Sequence, residues 1–132
     1  MENRMSYYTT TLLDTNFDNA IERVTEALKA EGFGILTEIK VNEVFKNKLD
    51  IDFRNYRILG ACNPGFAHQA IQKESKVGVM LPCNVIVQET DDGKIEVSAV
   101  NPIASMQAIE NDGLHAIAQE VEDKLKKAIQ SL

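Results

Sequence analysis

Cysteine is scarce in this chain. Its 132 residues include only Cys62 and Cys83, too far apart for a CxxC motif and too few for a disulfide framework. Basic charge is also short, with 14 Lys and Arg against 20 Asp and Glu and a net charge of −6. Nucleic-acid binders neutralise phosphates with clustered cations. The densest cationic stretch, Lys46, Lys48, Arg54 and Arg57, is diluted by Asp50 and Asp52. General affinity for DNA, RNA or an anionic membrane is therefore not expected. No hydrophobic run approaches the roughly 20 residues that cross a bilayer. No apolar stretch behind Met1–Met5 resembles a signal peptide. A reducing cytoplasm with both thiols free is the expected setting. Linkers, low-complexity stretches and repeats are missing too, so residues 1–132 are expected to form one domain. Catalytic signatures complete the absences: there is no GxSxG, P-loop, GxGxxG, HExxH or EF-hand loop.

What is present is ordinary globular material, 44% hydrophobic and 26% charged. A chain of this length buries about two-thirds of its extended surface, enough for a core without metal or disulfides. Tyr7 to Leu13 reads as a first strand, rich in aromatic and β-branched residues. Phe17, Ala20, Ile21, Val24, Ala27 and Leu28 then fall on one helical face, with Thr15 or Asn16 as cap and Gly32 as stop. Gly34 to Lys40 alternates, placing Ile35, Thr37 and Ile39 inward. A short helix at Val41–Leu49 follows, then a strand at Tyr56 to Cys62. Asn63-Pro64 and Asn101-Pro102 are helix starts, since Asn caps and Pro loses no needed donor in the first turn. Val79 to Glu89 is expected as one long strand, bent or at an edge where Pro82 removes an N–H. Asp91-Asp92-Gly93 turns it into a return strand, and an amphipathic helix runs from about Asp112 to Ser131. Grouped strands between two long helices imply an α+β protein with a mainly antiparallel sheet.

Two strings stand out, Ile58-Leu59-Gly60-Ala61-Cys62-Asn63-Pro64 and Leu81-Pro82-Cys83 with Gly78 to Met80 before it. Together they resemble the domain of unknown function 302 family, whose pattern joins an ILGACNP-like string to an LLPC-like string. Met80 departs mildly from the aliphatic residue more usual there. The resemblance spans nearly the whole chain and implies a curved, mainly antiparallel sheet in β-α-β4-α order, similar to TATA-box-binding protein. It implies no activity, and a shared fold lends no DNA binding.

The candidate site is the corner these strings make: Cys62, Asn63, Pro64, His68, Pro82 and Cys83. By alternation Cys83 shares a face with Leu81, Val85 and Val87, which makes it a core residue. Cys62 shares its face with Tyr56, Ile58 and Gly60. The competing reading is a thiol pair beside a capped helix start, where a thiol pKa falls and an anion finds N–H groups. With His68 these make only three ligands at irregular spacing, so neither metal nor cofactor is expected. His115 reads as a surface residue. The other sheet face is expected to carry Leu36, Leu59, Ala61, Met80, Ile86 and Val100 beside Glu38, Arg57, Asn84, Gln88, Glu96 and Ser98. That mixture suits a partner subunit or ligand, or partial cover by the helices around Val44 and Phe66. The expected function is a non-catalytic homodimeric module that binds a small molecule, an anion or another protein. The alternative is a thiol-dependent redox protein or enzyme using Cys62 or Cys83.

Overall fold

Asparagine side chains start four helices. Asn16 accepts from Asn19 N (2.8 Å), Asn63 from Phe66 N (3.4 Å), Asn101 from Ile103 N (2.9 Å) and Asn111 from Leu114 N (3.2 Å). The computed structural model describes residues 6–132; Met1–Met5, the stretch that bears on a signal peptide, lies outside them. In order, the elements are β1 (Tyr8–Leu13), α1 (Phe17–Ala30), β2 (Gly34–Lys40), α2 (Val41–Leu49), β3 (Tyr56–Cys62) and α3 (Pro64–Lys73). A 3-10 segment (Ser75–Met80), β4 (Cys83–Glu89), β5 (Ile95–Val100), α4 (Pro102–Ser105) and α5 (Asp112–Gln130) complete the chain. The five strands form one open antiparallel sheet in the order β1-β5-β4-β3-β2. The expected α+β class and element order hold. No helix of the described residues is long and apolar enough to cross a membrane.

α1 and α5 cover one face of the sheet. Their buried stripes, including Val24 and Leu28 on α1 and Val121 and Leu125 on α5, meet Val85, Val87, Ile95 and Val97 in one cluster. A Schellman motif ends α1: Gly32 (φ +88°) donates to Lys29 O and Phe33 to Leu28 O, at 3.0 and 2.9 Å. Phe33 is thereby turned under Leu28 and into the core.

Three local expectations need correction. First, Leu59 and Ala61, each 1% exposed, lie on the covered face with Arg57 and its ion-pair partner Glu38 (3.2 Å), and not on the open face with Ile86. Both parities of this strand are apolar apart from Arg57, whose charge points alternation to the wrong face; pairing of Leu59 with Val85 and Ala61 with Cys83 decides it. Second, the register of β2 shifts between Ile35 and Thr37, which makes Leu36 a bulge. Ile35 stays against the core, whereas Ile39 falls opposite Ile58 on the open face. Third, Val79 to Glu89 is not one strand. A proline cannot donate to the ladder, and pairing starts only at Cys83, after Pro82. Met80 therefore belongs to the 3-10 segment and not to the sheet.

The open face presents Tyr8, Thr10 and Leu12, Tyr56 and Ile58, Asn84, Ile86 and Gln88, and Glu96, Ser98 and Val100. Its polar groups pair among themselves, Thr10 Oγ1 with Ser98 Oγ (2.9 Å) and Gln88 Nε2 with Glu96 Oε1 (3.0 Å). The helix around Phe66 does not cover it; Phe66 packs against the helix-side core.

Candidate functional site

The end of the sheet where β3 stops and β4 begins is where the helices fail to close over the core. β3 gives way at Asn63, whose carbonyl accepts from Ala67 N (2.9 Å), and Pro64 opens α3 without needing a donor. α3 then runs past α5, and both present alanine there: Ala67 and Ala70 on α3, Ala118 on α5. Small side chains at this crossing, together with the Leu36 bulge, leave a cavity of about 320 Å³. Phe33, Ala61, Ala70, Cys83 and Ala118 are its buried floor, and Leu36 and Ile71 stand exposed at its mouth.

Four of the six candidate residues line this cavity: Cys62, Asn63, Pro82 and Cys83. Pro64 and His68 do not, being exposed on α3. Among the described residues no three His, Cys, Asp or Glu side chains cluster as a metal would require. His115 is a helix-start residue whose Nε2 lies 2.7 Å from Ile109 O. The floor and far wall supplied by Phe33, Met106 and Ala118 were not anticipated. Gly32 was the signal for Phe33, since a Schellman stop turns the residue after its glycine back onto the helix. The apolar stripe of the last helix turns Ala118 inward, but nothing local puts it or Met106 beside this strand end; both arrive through the packing of α4 and α5.

Apart from the thiols, no ionisable side chain among the described residues lines it; Thr37 and Asn63 are its other polar ones. Burial, and then the nearby Cys62, push the Cys83 thiol up from 9.0 to about 11. At neutral pH it is a protonated, weakly polar wall. The sign of its effect on stability follows. Below pH 9 the thiol is protonated in both states and contributes no pH dependence. As pH rises from about 9 to about 11 the unfolded chain ionises first, so stability falls. Urea melts near pH 8 and pH 10.5 should show the parent losing about 2 kcal/mol more than Cys83→Ala. Equal losses would mean that this thiol is not buried.

The capping role of Asn63 is separable from any contact with a ligand. Asn63→Ala should cost about 0.5–2 kcal/mol, towards the low end because the 3.4 Å bond to Phe66 is long. Asn63→Asp should cap as well and hold stability within about 0.5 kcal/mol. Chemical denaturation of the two variants checks this. Equal losses would show that the side chain acts otherwise than as a cap.

Comparison with known proteins agrees with this frame. The crystal structure of an uncharacterized conserved DUF302 protein from Bacillus stearothermophilus superposes with a TM-score of 0.88 at 29% identity, over 96% of this chain and 98% of that one. No curated protein matches. The model of the domain of unknown function DUF302 matches residues 8–132. Nearly its full length lies within that match: the chain belongs to the DUF302 family.

Proposed function

We propose that this protein is a cytoplasmic, non-catalytic homodimer that binds a small molecule in the cavity at the end of the sheet. One domain spans the chain, and neither nucleic acid nor membrane is a partner. The observation that carries the reading is the cavity itself: about 320 Å³, floored by buried apolar side chains, open at Leu36 and Ile71, and built from both distinctive strings of the sequence. Apolar walls with a few convergent polar groups are the usual makeup of a ligand pocket. A calorimetric titration with naphthalene, together with the melting temperature, tests it. Saturable binding with a raised Tm is expected; no saturation up to the probe's solubility would overturn it.

The dimer half rests on the open sheet face, where Tyr8, Leu12 and Ile39 are 43%, 58% and 47% exposed. Sedimentation equilibrium should show a dimer that Leu12→Lys weakens. A strict monomer at high concentration removes this half of the reading.

Thiol chemistry is the second reading, favoured by one observation: Cys62 and Cys83 line the same cavity. The buried, raised Cys83 stands against it, because the thiolate is the reactive form. Under native conditions at pH 7.5, iodoacetamide should leave Cys83 untouched and modify the half-buried Cys62 no faster than an ordinary thiol. Rapid modification of either would favour the redox reading.

A further inference from the structure

We infer that the ligand of the sheet-end cavity is an uncharged, largely hydrocarbon molecule of about two fused rings, carrying one hydrogen-bond acceptor that meets Asn63 Nδ2. The inference rests on the reading of the cavity as a binding site and goes further by fixing the ligand's charge, size and polarity.

Charge comes first. Among the described residues no Lys, Arg, His, Asp or Glu lines the cavity, so an ionic group inside would lose its hydration and find no counter-charge. The start of α3 offers little compensation. Pro64 has no N–H, Phe66 N already donates to Asn63 Oδ1, and Ala67 N donates to Asn63 O. Of the first-turn donors only that of Gly65 is left over, and Gly65 faces solvent. An anion cradle needs several convergent N–H groups. This corner has spent them on its own cap.

Size follows from volume. An apolar cavity of roughly 150 Å³ holds one benzene ring. About 320 Å³ therefore suits twice that, a fused bicycle or an aliphatic chain of similar bulk. The exposed Leu36 and Ile71 extend the apolar wall outward, so the molecule can leave a hydrocarbon end at the mouth.

Polarity is set by Asn63. The bond from Phe66 N fixes which side-chain atom is Oδ1 and so turns Nδ2 the other way. Nδ2 meets no protein acceptor among the described residues; it lies beside the exposed Gly32, so this donor stands at the rim of the cavity that the side chain lines. A ketone, ether or similar oxygen is the complement of such a donor. A carboxylate could also accept from it, but would find no counter-charge among the described residues that line the cavity.

The test is a set of calorimetric titrations at pH 7 with three probes of one size: naphthalene, 1-acetonaphthone and 1-naphthoate. The parent, Asn63→Asp, Ala118→Leu and Ala67→Leu are compared; the last two fill the cavity from α5 and from α3, in case one of them folds poorly. The expected order is ketone tightest, then hydrocarbon, with naphthoate at least about tenfold weaker than the ketone. Asn63→Asp should erase the ketone's advantage over naphthalene, and the cavity-filling variants should lose all binding. Naphthoate binding as tightly as the ketone, with sensitivity to cavity filling retained, would overturn the uncharged class while leaving the cavity a binding site. Absent binding of every probe, or binding indifferent to both filled variants, would overturn the cavity reading itself. A changed oligomeric state in the filled variants with probe binding intact would make the cavity a socket for a second copy, and the inference would fall.

Discussion

Gly60→Ala should destabilise the protein by about 3 kcal/mol, although it adds a single methyl group in a strand. The added Cβ would overlap Thr37 Oγ1 and lie 2.8 Å from Pro82 Cγ. Thr37 Oγ1 can leave only by turning χ1 of a β-branched side chain, and Pro82 is a ring that cannot swing aside as a lysine tip would. Two features of the site are held by this close approach: the register of β2 after its bulge, through Thr37 paired with Gly60, and the entry into β4 at Pro82. The double variant Gly60→Ala/Thr37→Ala should recover about 1 kcal/mol or more, because the Cβ of residue 37 lies at an ordinary 3.4 Å. Gly34→Ala is the internal control. A Cβ there meets nothing within 4 Å, so its effect should stay within about 0.5 kcal/mol of the parent. Urea denaturation measures all three. A Gly60→Ala protein as stable as Gly34→Ala would mean that β2, β3 and Pro82 are not packed as described.

Phe33→Ala should cost more, about 3–5 kcal/mol, a large share of the stability of an ordinary domain. Phe33 is 2% exposed and belongs to the cluster that joins α1, α5 and the sheet. It is also part of the cavity floor, so its removal has a second consequence that an ordinary core truncation lacks. The cavity deepens towards Leu28, and affinity should shift to larger hydrocarbons. Naphthalene should bind no more tightly than to the parent, while a three-ring probe such as phenanthrene should gain. Denaturation and parallel titrations check the two parts. Lost stability with an unchanged size preference would place Phe33 in the core but outside the binding floor.

These two residues show what the chain's local chemistry could and could not reveal. The helix starts at Asn16, Asn63 and Asn101 and the stop at Gly32 were legible, because capping and left-handed conformations are decided within a few residues. The long amphipathic helix was legible for the same reason, its apolar period matching the helical turn over Asp112–Gln130. Strand faces were not. In Tyr56–Cys62 both alternating sets are apolar but for Arg57, and only pairing with β4 shows that Leu59 and Ala61 meet the helices. The bulge at Leu36 was hidden because it depends on Thr37 settling over Gly60 on a neighbouring strand. The candidate corner divided along the same line. Cys62, Asn63, Pro82 and Cys83 converge because two strings flank one strand end, while His68 shares their neighbourhood in sequence but is exposed on α3. The alanines that create the space are ordinary residues until α3 and α5 are laid across each other.

The most direct test of the account is to locate a bound probe. Crystals grown with 2-bromonaphthalene and measured at the bromine absorption edge report the ligand's position without assumption. The account predicts one strong anomalous peak per chain between α3, α5 and the end of the sheet, in contact with Ala118 and Cys83. A peak instead on the open sheet face near Tyr8, Tyr56 and Ile86, or no peak from a saturated crystal, would contradict it.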